Sequence, residues 1–208
     1  MIVSSATPKR VRRAYRRYRH GPGAFKVDFA VEGGVPWQFE PPKHAGTVHV
    51  GGTFRQIAHA ERQVARGVMP EDPFVLVGQQ AIADPSRASG TVRPLNTYAN
   101  VPHGYTGDAT EAIVRQIERV APGFRSRILK MAVRSASDME EHNANYVGGD
   151  IVTGANTARQ LVFRPRITTR PYDTGVPGVY LCSAATPPGA GAHGACGFHA
   201  STRALACL

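Results

Sequence analysis

The segment AFKVDFAV, residues 24–31, constrains the fold most strongly, because large apolar residues occupy every second position along it. One face of such a segment carries Phe25, Val27, Phe29 and Val31. The other face carries Lys26 and Asp28. This alternation predicts a half-buried β-strand, whose apolar face a second layer of structure has to cover.

Three more apolar runs predict strands. The first is TVHV at 47–50, and the other two lie within PFVLVGQQAI at 73–82 and VRPLNTYANV at 92–101. The last two are separated by ADPSRASG, whose Asp, Pro, Ser and Gly residues are typical of a hairpin connection.

Capping residues and helical periodicity predict helices between and before these strands. The first covers the basic segment 9–19, with Val11, Ala14, Tyr15 and Tyr18 on one face. Thr53 caps a second helix, whose apolar stripe consists of Phe54, Ile57, Val64 and Val68. Asp108 and Glu111 form a capping box before a third.

The remaining part of the chain changes character along its length. Pro122 starts a short helix over GFRSRILK, and Ser137 with Glu140 repeats the capping-box pattern. From Asn143 onward loop-forming residues dominate, until VYLCSAATPPGAGAHGACG at 179–197 predicts a strand, a glycine-rich turn and a helix. The order of elements predicts an α+β fold, with a mixed or antiparallel sheet and helices on one side, followed by this C-terminal strand–turn–helix.

The positive charge is concentrated near the N-terminus. Seven cations lie within eleven residues: Lys9, Arg10, Arg12, Arg13, Arg16, Arg17 and Arg19. Without them the formal net charge falls from +10 to +3. We interpret them as the solvated outer face of an amphipathic helix and expect no nucleic-acid partner; a patch that binds phosphate or an anionic membrane surface is the alternative.

The sequence shows no long apolar run or disulfide framework. No run approaches the roughly eighteen apolar residues of a membrane span, and the N-terminus lacks an apolar signal region, so we expect a cytoplasmic protein, peripheral to a membrane at most. The only cysteines are Cys182, Cys196 and Cys207. Their spacing to His193 and His199 does not match zinc-ligand patterns, and we expect no metal site.

The glycine-rich turn contains a G-x-G-x-x-G pattern at Gly189, Gly191 and Gly194. In a dinucleotide-binding unit that pattern precedes a helix, a second strand and an acid about 20 residues on. Only fourteen residues follow Gly194, so the pattern is interpreted as a coincidence of spacing in a glycine-rich loop.

Several motifs stand in a fixed order along the chain. Upstream they are RYRHGPGAFKVDFAVEGGVPW, AGTVHVGG, PFVLVGQQAIADPSRA and YANVPHGYTGDATEAIVRQIERVAPGFRSRIL. Downstream they are NYVGGDI, QLVFRP and TGVPGVYLCSAATPPGAGAHGACGFHA. In this order they resemble the C-terminal half of the phytoene desaturase-like group of NAD(P)/FAD-dependent oxidoreductases. The similarity covers nearly the whole chain, but no strand with a true G-x-G-x-x-G and an acid precedes Gly189.

The resemblance implies a division into two parts. Residues 1–172 are predicted to form a substrate-binding (cap) domain with the basic N-terminal helix. Residues 173–208 are predicted to be the C-terminal fragment of an incomplete Rossmann-like FAD domain. A separate chain supplying the missing N-terminal FAD unit is then an expected partner.

The resemblance also implies residue roles. A partial FAD site is expected at Ser183, Ala185, Thr186, Pro187, Gly191, His193, Gly194 and Ala195. An apolar substrate, oxidised or reduced through the flavin, is expected near His103, Tyr105, Tyr146 and Arg164. From the residues alone, Arg164 could pair with Asp150 or hold an anionic group.

Two other functions stay open at this stage. The first is a non-catalytic module or truncated relic that holds an apolar ligand without FAD. The second is an anion or membrane-surface binder that uses the arginine-rich helix.

Overall fold

A computed structural model describes residues 5–207, and the outer ends of the two predicted domains, 1–4 and 208, lie outside this range. The strands are β1 (Gly23–Glu32), β2 (Thr47–Val50), β3 (Val75–Gly78), β4 (Val92–Val101) and β5 (Ile128–Arg134). The α-helices are α1 (Lys9–Tyr15), α2 (Glu40–Lys43), α3 (Phe54–Ala65), α4 (Gln80–Ala83), α5 (Thr110–Glu118), α6 (Ala136–His142), α7 (Ala158–Val162) and α8 (Ala195–Leu205). The predicted α+β class is confirmed. Within the described range, no helix combines the length and apolar character needed to cross a membrane.

The strands form one antiparallel sheet in the order β2-β3-β4-β1-β5. In the register of β1 with β4, Phe25 lies opposite Ala99, Val27 opposite Thr97 and Phe29 opposite Leu95. Directly opposed residues point to the same face, so the alternation predicted for 24–31 continues across the strand pair. All six side chains are buried.

Helix α5 and the turn after it cover this apolar face. Ile113 and Ile117 of α5 are fully buried, as is Phe124 beyond its end. The ring of Phe124 meets that of Phe29 edge to face, with centroids 5.4 Å apart. Aromatic pairs favour this geometry, so the contact fixes the segment after α5 against β1.

Strand β5 corrects the prediction of a short helix over GFRSRILK. A 3-10 turn at Arg125–Arg127 ends the helical part, and the chain then pairs with the free edge of β1 from Lys26↔Arg134 to Ala30↔Lys130. Ten-residue β1 offers a full row of backbone partners, and this tertiary pairing outweighs the local helical signal. The two cations of β5, Lys130 and Arg134, are exposed, which is typical of an edge strand.

Two capping predictions also require correction. Before α5, the Asp108 carboxylate accepts from the Thr110 N–H at 2.7 Å, but Glu111 binds Arg125 instead of closing a capping box. The capping box of α6 uses Ser135 and Asp138, two residues before the predicted pair Ser137 and Glu140.

The helix α3 and the C-terminal region match their predictions in part. The Thr53 cap of α3 is confirmed, and it closes a capping box with Gln56. Phe54 of the predicted stripe is 84% exposed, and the buried residues of α3 are Ala60 and Val64.

The predicted strand near 179–182 is reduced to a single bridge between Asp173 and Tyr180. The turn and the helix that follow it are present.

We predict that Phe124→Ala lowers the free energy of unfolding by about 3–5 kcal/mol, because it leaves a cavity between β1 and α5. Urea denaturation followed by circular dichroism measures the change. Phe54→Ala, at an exposed aromatic, is the control and is expected to change stability by less than about 0.5 kcal/mol. Equal losses in both variants would contradict the assignment of the core.

Candidate functional site

The carboxylate of Asp150 is fully buried and joins two distant parts of the chain. One oxygen accepts from the backbone N–H groups of Gly21 and Gly154, each at 2.6 Å, and the other accepts from Val152 at 3.0 Å. His20 Nδ1 lies 3.8 Å from the carboxylate. Burial alone would raise the pKa of Asp150, but the nearby His20 ring and the hydrogen bonds from the three amides outweigh it and lower the pKa below its ordinary value.

Side chains on both sides of this carboxylate extend the connection. The Tyr18 hydroxyl donates to the carbonyl of Thr153 at 2.8 Å. Gln160 closes a reciprocal pair with the backbone of Arg19, accepting from its N–H and donating to its carbonyl, both at 2.9 Å. The segment that leads into β1 is therefore held against the loop at 150–160.

Arg164 is also buried, at 3% exposure, and it does not pair with Asp150. Its Nε donates to the carbonyl of Gln160 and its Nη1 to the carbonyl of Ala184, both at 2.9 Å. An added Cβ on Gly189 would lie 2.8 Å from Nη1. Arg164 thus lies directly beneath the glycine-rich turn, with carbonyl groups as its partners.

The start of the turn is fixed by short internal bonds. The hydroxyl of Thr186, which is fully buried, donates to the carbonyl of Ser183 at 2.7 Å, and the Ser183 hydroxyl accepts from the Ala185 N–H at 3.0 Å. The buried Cys196 thiol donates to the carbonyl of Gly189, with a sulfur–oxygen distance of 3.4 Å. Tyr172 donates from its hydroxyl to the carbonyl of Pro187.

The tip of the turn, residues 191–194, is exposed and differs from its base. His193 Nδ1 accepts from the Ala195 N–H at 3.0 Å and so caps the first turn of α8. Among residues 5–207, no acceptor meets the N–H groups of the four tip residues. Gly194 adopts φ +65°, and an added Cβ there would meet nothing within 4 Å. The tip therefore presents free amide donors beside a helix N-terminus, which favours an anionic or electron-rich group.

A concave surface of about 540 Å³ adjoins the base of this turn. Its lining includes Tyr172, Pro187, Pro188, His199 and Arg203. Of the residues predicted to bind FAD, Pro187 is the one that reaches this cavity.

The predicted substrate residues separate into different surroundings. His103 donates from Nδ1 to the carbonyl of Gly21 at 2.9 Å and stacks on His20, with ring centroids 6.3 Å apart. It also lies against Gly148, two residues after Tyr146. Tyr105 packs on the main core, and Arg164 lies under the glycine turn.

The sequence did not identify three polar side chains that connect the segment before β1 to the loop at 150–160, namely Tyr18, His20 and Gln160. Their bonds join residues more than 120 positions apart, so no local pattern marks them. Among residues 5–207, no group of three or more His, Cys, Asp and Glu side chains is placed to hold a metal ion.

The chain has distant relatives among curated proteins. It is 26% identical over 171 residues to pyridine nucleotide-disulfide oxidoreductase domain-containing protein 2 of Mus musculus. The matched region covers 76% of this chain and 29% of that protein. It is 25% identical over 187 residues to the protein of the same name from Rattus norvegicus, and this matched region covers 84% of this chain and 32% of the relative. No protein-family model matches the chain. The names of these relatives agree with the broad oxidoreductase class that the sequence predicts, and they do not specify the phytoene desaturase-like group.

The chain spans less than a third of the length of these relatives.

We predict that Asp150→Asn lowers the free energy of unfolding at neutral pH by about 2 kcal/mol. Both carboxylate oxygens of Asp150 accept from backbone N–H groups, whereas an asparagine amide has one oxygen that accepts and one NH₂ group that cannot. Since the folded pKa of Asp150 is lowered, its contribution is present above the unfolded value of about 3.8 and is lost as the pH falls through the folded value. Urea denaturation across this pH range should therefore show the difference between wild type and variant shrinking in acid. Asp72→Asn, at a half-exposed carboxylate, is the control and should change the free energy of unfolding by less than about 0.5 kcal/mol across the same pH range.

Proposed function

We propose that this chain is part of an FAD-dependent oxidoreductase of the phytoene desaturase-like type, and that residues 183–195 contact the flavin. The order of motifs along the chain supports this proposal. So does the distant similarity to two proteins named for an oxidoreductase domain. A bound flavin would supply the hydride chemistry, and the residues of this chain would bind and orient it.

The observation that carries the proposal is the row of free amides at 191–194, immediately before α8. Backbone N–H groups at a helix start stabilise negative charge, and the pyrimidine edge of a flavin gains charge when the ring is reduced. The absence of a side chain at Gly194 leaves open space in which a flat ring can approach these donors, whereas at Gly191 the corresponding space holds the ring of His193. The residues present therefore fit the flavin edge.

The base of the turn supports this role by holding the donors in place. Arg164, Thr186 and Cys196 bind carbonyl groups on the inner side of the turn and leave the outer N–H groups unpaired. A donor array that is fixed before the ligand arrives loses little conformational entropy on binding. The resemblance names Ser183, Ala185, Thr186, Pro187, Gly191, His193, Gly194 and Ala195. Ala185 and Thr186 are buried, so in this proposal they support the turn from inside and the other six contact the flavin.

Other parts of the site belong to the proposal by resemblance. The adenosine and diphosphate contacts would come from a further unit, because the chain corresponds to less than a third of its relatives. The substrate would be apolar and would lie near His103 and Tyr146, beside the Asp150 connection. Arg164 acts in this proposal as a support for the turn.

We predict that Gly194→Ala weakens FAD binding by roughly tenfold, because a methyl group would stand where the ring approaches. Titration of FAD into the purified chain, followed by flavin fluorescence, measures the affinity. Gly178→Ala is a matched control: Gly178 has φ +73° against +65° for Gly194, and an added Cβ at either position meets nothing within 4 Å.

Both variants should lose similar stability, since the left-handed strain is similar at the two positions. Only Gly194→Ala should weaken FAD binding. An absence of saturable binding by the wild-type chain, or an equal loss in the two variants, would contradict the flavin contact.

A further inference from the structure

A cavity of about 890 Å³ lies between α1 and the loop at 157–175, and it is strongly basic. Its lining includes six arginines: Arg10, Arg17, Arg19, Arg159, Arg166 and Arg170. Three of them come from the N-terminal segment and three from a segment about 140 residues later. The fold therefore assembles this surface from two regions, and none of the residues 183–195 lines it.

The six guanidinium groups have no ion-pair partner among residues 5–207. The one carboxylate in the lining belongs to Asp173, and Arg203 already holds it through two bonds of 2.9 and 3.0 Å. The pKa of Asp173 is lowered, chiefly by Arg203 and further by Arg170 and Arg166. The cavity thus keeps a large excess of positive charge, which its concave shape focuses.

Arg166 is anchored at the inner side of this cavity. Its Nη2 donates to the backbone carbonyl of Asp173 at 3.0 Å. Burial raises the pKa of the Tyr15 hydroxyl, and the neighbouring Arg166 guanidinium acts against that rise, so Arg166 is held between Tyr15 and Asp173 and keeps its positive charge beside the cavity.

The rest of the lining is apolar and includes Val11, Ala14, Phe163, Pro165 and Ile167. Phe163 and Ile167 are 45% and 62% exposed, so this wall is open to a ligand. Cavities of about 300–1,000 Å³ hold drug-sized molecules. A ligand that fills this cavity would therefore have a less polar part beside its anionic part.

We infer that this cavity binds an organic diphosphate, with the phosphate oxygens on the arginines and the organic part on the apolar wall. One guanidinium group binds two phosphate oxygens through two parallel hydrogen bonds, so six guanidinium groups offer more donors than a single phosphate group can accept. The organic part is either a nucleoside or an apolar chain, and both share the diphosphate. This inference is independent of the proposed flavin contact, because it rests on other residues.

The outer face of α1 offers an internal comparison. Lys9, Arg12, Arg13 and Arg16 line a separate depression of about 280 Å³, with no apolar residue in its lining. This face carries similar charge without the second wall that residues 159–170 provide. It is the surface on which binding to an anionic membrane would depend.

The test is isothermal titration calorimetry of the purified chain with inorganic pyrophosphate, ADP and geranyl diphosphate. Arg17→Gln with Arg159→Gln removes two exposed cations from the cavity, and Arg13→Gln with Arg16→Gln removes two exposed cations from the outer face. The first pair should weaken pyrophosphate binding at least about tenfold, and the second pair should leave it within about twofold. Tighter binding of ADP or of geranyl diphosphate than of pyrophosphate identifies the organic part.

None of the four side chains makes a salt bridge in the described residues, so both variants should unfold at the temperature of the wild type. Arg10→Gln with Arg170→Gln provides a second cavity variant if the first fails to fold. Three results would overturn the inference: no binding of any diphosphate, equal loss in cavity and outer-face variants, or complete displacement of pyrophosphate by an equal concentration of sulfate. Binding to phosphatidylserine vesicles that the outer-face variant alone abolishes, without diphosphate binding, would favour a membrane surface instead.

Discussion

The buried carboxylate of Asp150 is the constraint on which the arrangement of the sites depends. It draws the backbone of Gly21, just before β1, onto a loop 129 residues away, and the neighbouring bonds of Tyr18 and Gln160 follow from that contact. Burying a carboxylate without hydrogen bonds would be prohibitive, so the three amides and His20 have to be in place together. The loop at 150–160 therefore acquires a defined position although it contains little regular structure.

The position of this loop determines the position of the glycine turn. Arg164 lies a few residues beyond Gln160, binds its carbonyl and that of Ala184, and so links the Asp150 connection to the base of the turn. A guanidinium buried at 3% exposure without a carboxylate is costly, and the carbonyl partners offset part of that cost. An Arg164 that held a substrate would have to leave these partners, which is why its support of the turn is the stronger interpretation.

The sequence predicted those parts of the fold that depend on local pattern. The alternation of Phe25, Val27 and Phe29 identified β1 because a strand with one buried face repeats every two residues. It did not identify β5, because GFRSRILK was assigned to a helix that starts at Pro122. Leu129, Met131 and Val133 do alternate with Lys130 and Arg134, but their large side chains are exposed, and the pairing with β1 is a tertiary contact. The candidate site follows the same division. The glycine turn is visible in the sequence, whereas its support by Arg164 and the Asp150 connection join residues that no spacing relates.

The polar residues of the region from 150 to 195 that are buried have hydrogen-bond partners within the chain, whereas several donors at the surface have none. Inside, Asp150, Arg164 and Thr186 each find partners within the chain. At the surface, the amides of 191–194 have no acceptor among the described residues, and the guanidinium groups of the arginine-lined cavity have no ion-pair partner there, although Arg166 donates to the carbonyl of Asp173. All of these unpaired groups are donors, and all favour negative charge. Both sets of donors are open to solvent, and a ligand that brings electron-rich oxygen or nitrogen atoms would satisfy them, as each of the two proposals requires.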